Sequence, residues 1–569
     1  MNALDYVVLV GTILGIASYG IWRTRDRRSL HTYLKGEGRT RWLGIGLSVM
    51  ATQASAVTFL STPGQGFKDG LGFVQIYFGM PIALVIIAVV FLPIYRRLNV
   101  YTAYEYLGRR FDSKTRLLGA AIFLLQRGLG AGITIYAPAI VLSTVMGWRL
   151  DVTIICSGLV VVGYTALGGS DAVNITQKQQ IAVIFAGMIA AAVLLWSKLP
   201  AELTLSDTLT LAGQFHKLQA VNYSFSLKER YTFWSGLLGA TFLMLAYFGS
   251  DQSQVQRYIS GASLRESRLG LMFNAVFKIP MQFFILSLGV LLFVFYQFHQ
   301  APVYFNQVAW NHQLAQGDRA RLEELETSFA AAQEQQRQNL QTWIEARHQG
   351  NSQAETEARA AAAVTQAQID AFRQQAAEAV DAKKKTSDSD YVFITFILNY
   401  LPHGLIGLLI AAFFAAALSA KAAELNALST TTTIDIYRHF ISPDAHESHY
   451  LLASKCFVVM WGIIAILFAL FVALVENLIQ AVNIVTSIFS PVVLGLFMIG
   501  FFLPRVGGTA AFFGALLAQV LVIALYCSPL SISYLWYNLI GCLTCVMFGI
   551  LLYQLPPTAA PATSVAPTE

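Results

Sequence analysis

SerValMetAlaThrGlnAlaSerAlaValThrPhe, residues 48–59, runs into SerThrProGlyGlnGly, residues 61–66, and this stretch decides the fold. It lies inside an apolar run long enough to cross a bilayer, yet it carries a polar stripe followed by a Pro/Gly breaker. Within hydrocarbon every backbone N–H and C=O needs a partner, so such an interruption is tolerated only where it faces protein or a watery cavity. A second interruption, TyrPheGlySerAspGlnSerGlnValGlnArgTyr at 247–258, follows about 190 residues later. Two discontinuous helices in matching positions are the pattern of a carrier built from inverted repeats, with five spans in each half. A plainer reading, that each cluster merely ends its helix, fits these two stretches equally well.

The rest of the chain places these interruptions in a membrane. Of its 569 residues 56% are hydrophobic and only 12% charged, which excludes an ordinary soluble multidomain protein. Spanning the hydrocarbon core takes about 20 apolar residues. Thirteen such runs lie near 5–23, 43–63, 75–96, 117–145, 151–170, 178–196, 232–250, 271–296, 399–436, 450–473, 478–503, 509–528 and 532–554. The first is read as a retained helix, because no small-residue cleavage site follows it. Arg23, Arg25, Arg27, Arg28, Lys35, Arg39 and Arg41 put the first loop in the cytoplasm, and the later basic clusters alternate with it. An outside N-terminus and an inside C-terminus in a plasma (inner) membrane follow. The net charge of +6 is explained by those loops, so no nucleic-acid partner is read from it. Cys156, Cys456, Cys527, Cys542 and Cys545 show no disulfide or metal-ligand spacing.

The chain divides into an N-terminal helix with its basic loop (1–42), a first repeat with the start of the second (43–298), a polar insert (299–390), the rest of the core (391–505), C-terminal helices (506–554) and a Pro/Ala/Thr-rich tail (555–569). In the insert, two Ala/Gln/Glu/Arg-rich runs, 313–349 and 354–385, flank HisGlnGlyAsnSer (348–352). They predict an external hairpin of two antiparallel helices without chemistry of its own.

Ionisable residues inside spans are the sharpest functional signal, since each costs on the order of 3 kcal/mol at mid-membrane. Arg127 sits deep in the fourth span, Lys178 opens the sixth, Asp251 stands at the seventh span's break, and Lys421 and Glu424 follow a long apolar run. Lys421 and Glu424, three apart on a helix, can neutralise each other, and that bland reading weighs as much as a functional one. At its depth Arg127 has little surface to snorkel to, which favours a role.

Several segments together resemble the sodium/solute symporter family: SerThrProGlyGlnGlyPheLysAspGlyLeuGly (61–72), ArgArgLeuAsnValTyrThrAlaTyrGluTyrLeuGlyArgArgPhe (96–111), TyrThrAlaLeuGlyGlySerAspAlaVal (164–173), AspGlnSerGlnValGlnArg (251–257) and GluLeuAsnAlaLeuSerThrThrThrThrIleAspIleTyr (424–437). The resemblance implies an all-α integral membrane protein of leucine-transporter type: about 13 transmembrane helices with a 5+5 inverted-repeat core, here carrying the external hairpin. It also implies a sodium ion held by the carbonyls of Ala51, Ala54 and Ala416 and the hydroxyl of Ser419, a hard-cation set of oxygens. The second hydroxyl position is Ala420, followed by Lys421, and Gln177 with Lys178 stands where the family has an acid. The family's sugar-binding Gln and Glu positions match Thr58 and Tyr77, which disfavours a sugar.

Members that carry acidic sugars use an arginine in the helix that holds Arg127, and a guanidinium matches a carboxylate bidentately. The expectation is therefore a secondary active transporter importing a small organic solute, a carboxylate, driven by sodium and by no other cofactor. Its pocket would comprise Gln53, Thr58, Tyr77, Arg127, Asp251 and Gln252. One alternative is a sodium-independent carrier in which Lys421 replaces the ion, with Glu424 and Lys178 in coupling roles. Another is a solute sensor that moves nothing. No GxSxG, HExxH or P-loop supports an enzyme.

Overall fold

A computed structural model describes residues 1–24, 41–53, 55–98, 100–259, 261–381, 387–471 and 477–554. Eight helices among them are long and apolar enough to cross a membrane, and four shorter apolar helices lie at Ala3–Ile13, Leu150–Gly163, Ile181–Ser197 and Ser235–Gly249. The chain is a multi-pass membrane protein. The elements that position the site are α1 (Ala3–Thr24), α2 (Trp42–Gln53), α3 (Ala56–Asp69), α4 (Ser113–Thr134), α5 (Leu150–Ser197), α6 (Leu205–Gln214), α7 (Ala240–Gly249), α8 (Gln252–Ile259), α9 (Leu264–Phe298), α10 (Arg319–His348), α11 (Ser352–Val380), α12 (Leu405–Thr431) and α13 (Leu478–Phe502).

Both interruptions are present. Between α2 and α3 the chain leaves the helix, and Ser55 is extended (φ −75°, ψ 177°). Between α7 and α8, Ser250 (φ −124°, ψ −12°) breaks the second helix just before Asp251. Local polar groups compensate for the lost ladder: Thr58 Oγ1 donates to Gln53 O at 3.2 Å, and Asp251 Oδ1 accepts from Ser253 N at 2.9 Å. Capping residues start the continuous helices, Asp112 for α4 and Ser263 for α9.

Packing separates core from periphery. An apolar 18-residue stretch of the Leu405–Ile441 run that contains α12 is 82% buried, whereas the corresponding stretch of Glu447–Phe471 is only 28% buried and turns apolar side chains outward. Small residues let α3 and α9 approach closely: a Cβ added at Gly289 would lie 2.9 Å from Gly66 Cα.

Two expected spans, 151–170 and 178–196, run together as α5, 48 residues helical throughout. Gly168 and Gly169 lack the ring that forbids a helix, so no residue between them enforces the expected turn. The span expected at 399–436 begins later, at Leu405, after Gly404 with a φ of +88°.

The two-helix hairpin forms with shifted ends: α10 begins at Arg319 rather than 313, and α11 runs from Ser352, two residues earlier than expected, to Val380. α10 and α11 pack side by side, Gly350 (φ +70°) makes the turn, and Asn351 caps α11. An additional helix, Gln307–Gln316, precedes it. Trp310, Phe329 and Ile369 share a small apolar cluster beneath it. Docking onto the membrane part runs through Asp207 of α6, which accepts from Arg347 Nε at 2.9 Å and lies 3.0 Å from His348 Nε2. Burial pushes the Asp207 carboxyl up, but bonds from Thr204, His348 and Arg347 outweigh it and hold the pKa at about 2.

Candidate functional site

The two helix breaks and α4 converge on a central cavity of about 90 Å³. Gln53, Ser55 and Thr58 come from the first break, and Tyr77 from the segment after α3. Arg127 and Thr134 lie on α4, Tyr247 on α7, Glu424 on α12, and Asn483 and Thr486 on α13. Five residues expected at the site thus line one cavity: Gln53, Thr58, Tyr77, Arg127 and Glu424.

A chain of ion pairs crosses its floor. Arg127 pairs with Asp251 and donates from Nη1 to Glu424 Oε1 at 3.2 Å. Glu424 also pairs with Lys421 and accepts from Thr134 Oγ1 at 3.2 Å, while Lys421 Nζ donates to Ala131 O at 3.3 Å. The Arg127 guanidinium lies 5.5 Å from the Tyr247 ring centroid. Two cations and two anions cancel, which is what makes four buried charges tolerable in a low-dielectric interior. One donor is left over: Arg127 Nε is buried without a hydrogen-bond partner.

Asp251 stands behind Arg127 rather than on the cavity wall. Gln252 is also off the wall; its carboxamide accepts from Ala103 N at 3.0 Å and donates to Tyr101 O at 2.9 Å. Ala51, Ala416 and Ala420 are buried, on helices α2 and α12 that pack together. Ala54 lies outside the described residues, as do the side chains of Ser419 and Lys178.

Polar contacts tie together the elements around the cavity. Toward the hairpin, Gln65 Oε1 accepts from Gln480 Nε2 at 2.8 Å and also from Asn477. Elsewhere, Tyr104 OH donates to Ser250 O at 2.9 Å and Tyr95 OH to Gly249 O at 2.6 Å, and Arg116 pairs with Asp435 at 2.8 Å.

Sequence reasoning missed one group. Lys278 on α9 is fully buried beside Tyr77. The signal was there, a single lysine inside the apolar run 271–296, the same kind that singled out Arg127.

The sequence profile of the sodium:solute symporter family matches residues 33–321 and 368–518. The human sodium/iodide cotransporter is 32% identical over 302 residues, covering 52% of this chain and 46% of that protein. The human sodium-coupled monocarboxylate transporter 1 is 34% identical over 275 residues, 48% of this chain and 45% of that one. The chain thus spans about half the length of these two relatives. The sodium/sialic acid symporter SiaT of Proteus mirabilis (strain HI4320) is 24% identical over 572 residues, 99% of this chain and 97% of that protein. A solved structure of a Na+-coupled sialic acid symporter, substrate-bound and outward-open, superposes with a TM-score of 0.75 at 22% identity, covering 98% of this chain and 99% of that one, so the two share a fold. With its broken helices, its central cavity and a profile match over most of its length, this chain belongs to the sodium:solute symporter family.

Proposed function

We propose that the protein is a secondary active carrier that couples sodium entry to import of a small carboxylate, by alternating access around the central cavity. The observation that carries the reading is the unpartnered Nε of Arg127 at a cavity built from two helix breaks. Its Nη atoms are held by Asp251 and Glu424, so the guanidinium is fixed in place beside the cavity, and its unpaired Nε–H is the donor left for a carboxylate. Gln53, Thr58 and Tyr77 complete the pocket around the solute. The relatives' names couple sodium to iodide, a monocarboxylate and sialic acid, all anions.

The residues that would hold sodium are those the family resemblance implies, the carbonyls of Ala51, Ala54 and Ala416 and the Ser419 hydroxyl, next to Ala420, an all-oxygen set suited to a hard cation. Lys421 is occupied by Glu424 and the Ala131 carbonyl, which favours sodium over the lysine ammonium in the cation's place. Coupling has a simple electrostatic rationale: a sodium ion and a carboxylate entering together add no net charge beside the balanced ion-pair quartet. The basic loops place the hairpin outside and the C-terminus inside.

Purified protein in proteoliposomes tests the reading. Uptake of radiolabelled monocarboxylates should follow an inward sodium gradient and vanish when sodium is replaced. Uptake undiminished without sodium would sink the coupling, and tight solute binding without any flux would make the protein a sensor.

A further inference from the structure

Lys278 is an ionisable group that the carrier scheme does not use. It is 0% exposed, and among the described residues its Nζ has no hydrogen-bond partner and no ion-pair partner. Its one close neighbour of consequence is the Tyr77 ring, 5.6 Å away, whose other surroundings include the central cavity. A cation–π contact returns only part of what it costs to bring an ammonium out of water into a membrane interior.

The elements packed most extensively against α9, namely α2, α3 and residues 70–98, offer no remedy. Residues 42–53 and 70–98 contain no acid, and the one acid of α3, Asp69, stands at its far end, where Gln65 donates to it at 2.5 Å. Arg127 and Lys421 already use the carboxylates of the cavity floor. Polar groups accompany Lys278 all the same. Asn274, one turn before it on the same stripe of α9, is also 0% exposed, and neither of its amide atoms has a partner. One turn after it, Gln282 donates to Thr62 Oγ1 at 3.1 Å and leaves its Oε1 open.

The three N–H donors of the ammonium and the two of the unused carboxamide NH2 outnumber the two open carboxamide oxygens of Asn274 and Gln282, and those neutral oxygens leave the unit charge unbalanced; the species that answers both is an anion. We propose that Lys278 and Asn274 hold a small monovalent anion in the membrane core, directly behind the Tyr77 wall of the cavity. The anion is either a free halide or the carboxylate end of a transported solute. The site stands on the geometry of α9 and does not require that the chain move solute.

The test is thermal unfolding of the purified full chain in detergent, at constant sodium and ionic strength, with methanesulfonate replaced stepwise by chloride, bromide or acetate. Chloride should raise the unfolding temperature with a saturable dependence. Lys278→Met should weaken the apparent chloride affinity by roughly tenfold or more, and should be no less stable than the unaltered protein in methanesulfonate. Lys278→Arg should keep the dependence. Stabilisation by halides alone assigns the site to free halide; acetate that stabilises and competes with chloride assigns it to a carboxylate. Identical anion responses in the unaltered protein and Lys278→Met would overturn the site. Should Lys278→Met not fold, crystals of the unaltered protein soaked in bromide decide: an anomalous peak beside Nζ supports the site, and none near α9 overturns it. Proteoliposome uptake measured in parallel keeps the two proposals apart. Anion binding at Lys278 without uptake sinks the carrier alone, and uptake without a Lys278-dependent anion response sinks the anion site alone.

Discussion

Replacing Arg127 by methionine probes the ion-pair chain and the carrier reading together. Breaking a buried pair by removing one partner costs ~3–5 kcal/mol, because the other charge is left uncompensated. The loss here is uneven. Glu424 keeps Lys421 and Thr134, so it remains neutralised. Asp251 loses the guanidinium it pairs with and retains Ser253, whose N–H and hydroxyl donate at 2.9 and 2.7 Å. Those two bonds cushion the carboxylate and put the expected loss near the lower end, ~3 kcal/mol. Asp251→Asn alone strands Arg127 less severely, since Glu424 still faces it. The double variant Arg127→Met/Asp251→Asn removes a cation and an anion together, and it should lose less than the sum of the singles by up to ~3 kcal/mol. Unfolding in mixed detergent–dodecyl sulfate micelles measures all three, and proteoliposome uptake is read on the same preparations. Stability should recover in the double variant while carboxylate uptake stays absent, because the free Nε has gone. Strictly additive losses would show that Arg127 and Asp251 do not act as a pair. Restored uptake in the double variant would show that Arg127 does not hold the solute.

Other outcomes follow from particular contacts. Gly289→Ala forces a methyl against the backbone of α3, and the overpacking should destabilise the protein by ~1–3 kcal/mol in the same micelle titration. Gln65→Leu removes the acceptor for Asn477 and Gln480, weakening the tie between α3 and the start of α13 by ~1–2 kcal/mol; thiol labelling of Thr58→Cys, on the same helix, should accelerate in that background. Asp207 is held at about 2, below the ~4 of a free carboxyl. Its contribution to hairpin docking is therefore complete above pH ~4 and is lost as the pH falls toward 2. Hydrogen exchange over 319–380 should rise through that window, and Asp207→Asn should abolish the pH dependence.

Much of this architecture was legible in the residues. Ser, Gln and Thr inside apolar runs announced both breaks, since a lipid-facing helix has no use for them, and HisGlnGlyAsnSer announced the hairpin turn. Arg127 stood out by depth alone. Its partners did not, because Glu424 lies 297 residues away and only the fold brings α4 against α12. Gln252 illustrates the converse: a polar residue at a break, expected in the pocket, whose carboxamide ties the backbone at Tyr101 and Ala103 instead. The uninterrupted α5 escaped notice because glycine pairs permit a turn without imposing one.

The balanced quartet on the cavity floor has an electrical corollary. A transmembrane voltage performs ~2.3 kcal/mol of work per 100 mV on each unit charge displaced through it. Arg127, Asp251, Glu424 and Lys421 sum to zero, so rocking them between orientations draws nothing from the voltage. On the proposed carrier cycle the quartet itself therefore adds nothing to the current. One sodium with one carboxylate passes silently, and each further sodium registers as a full elementary charge per turnover.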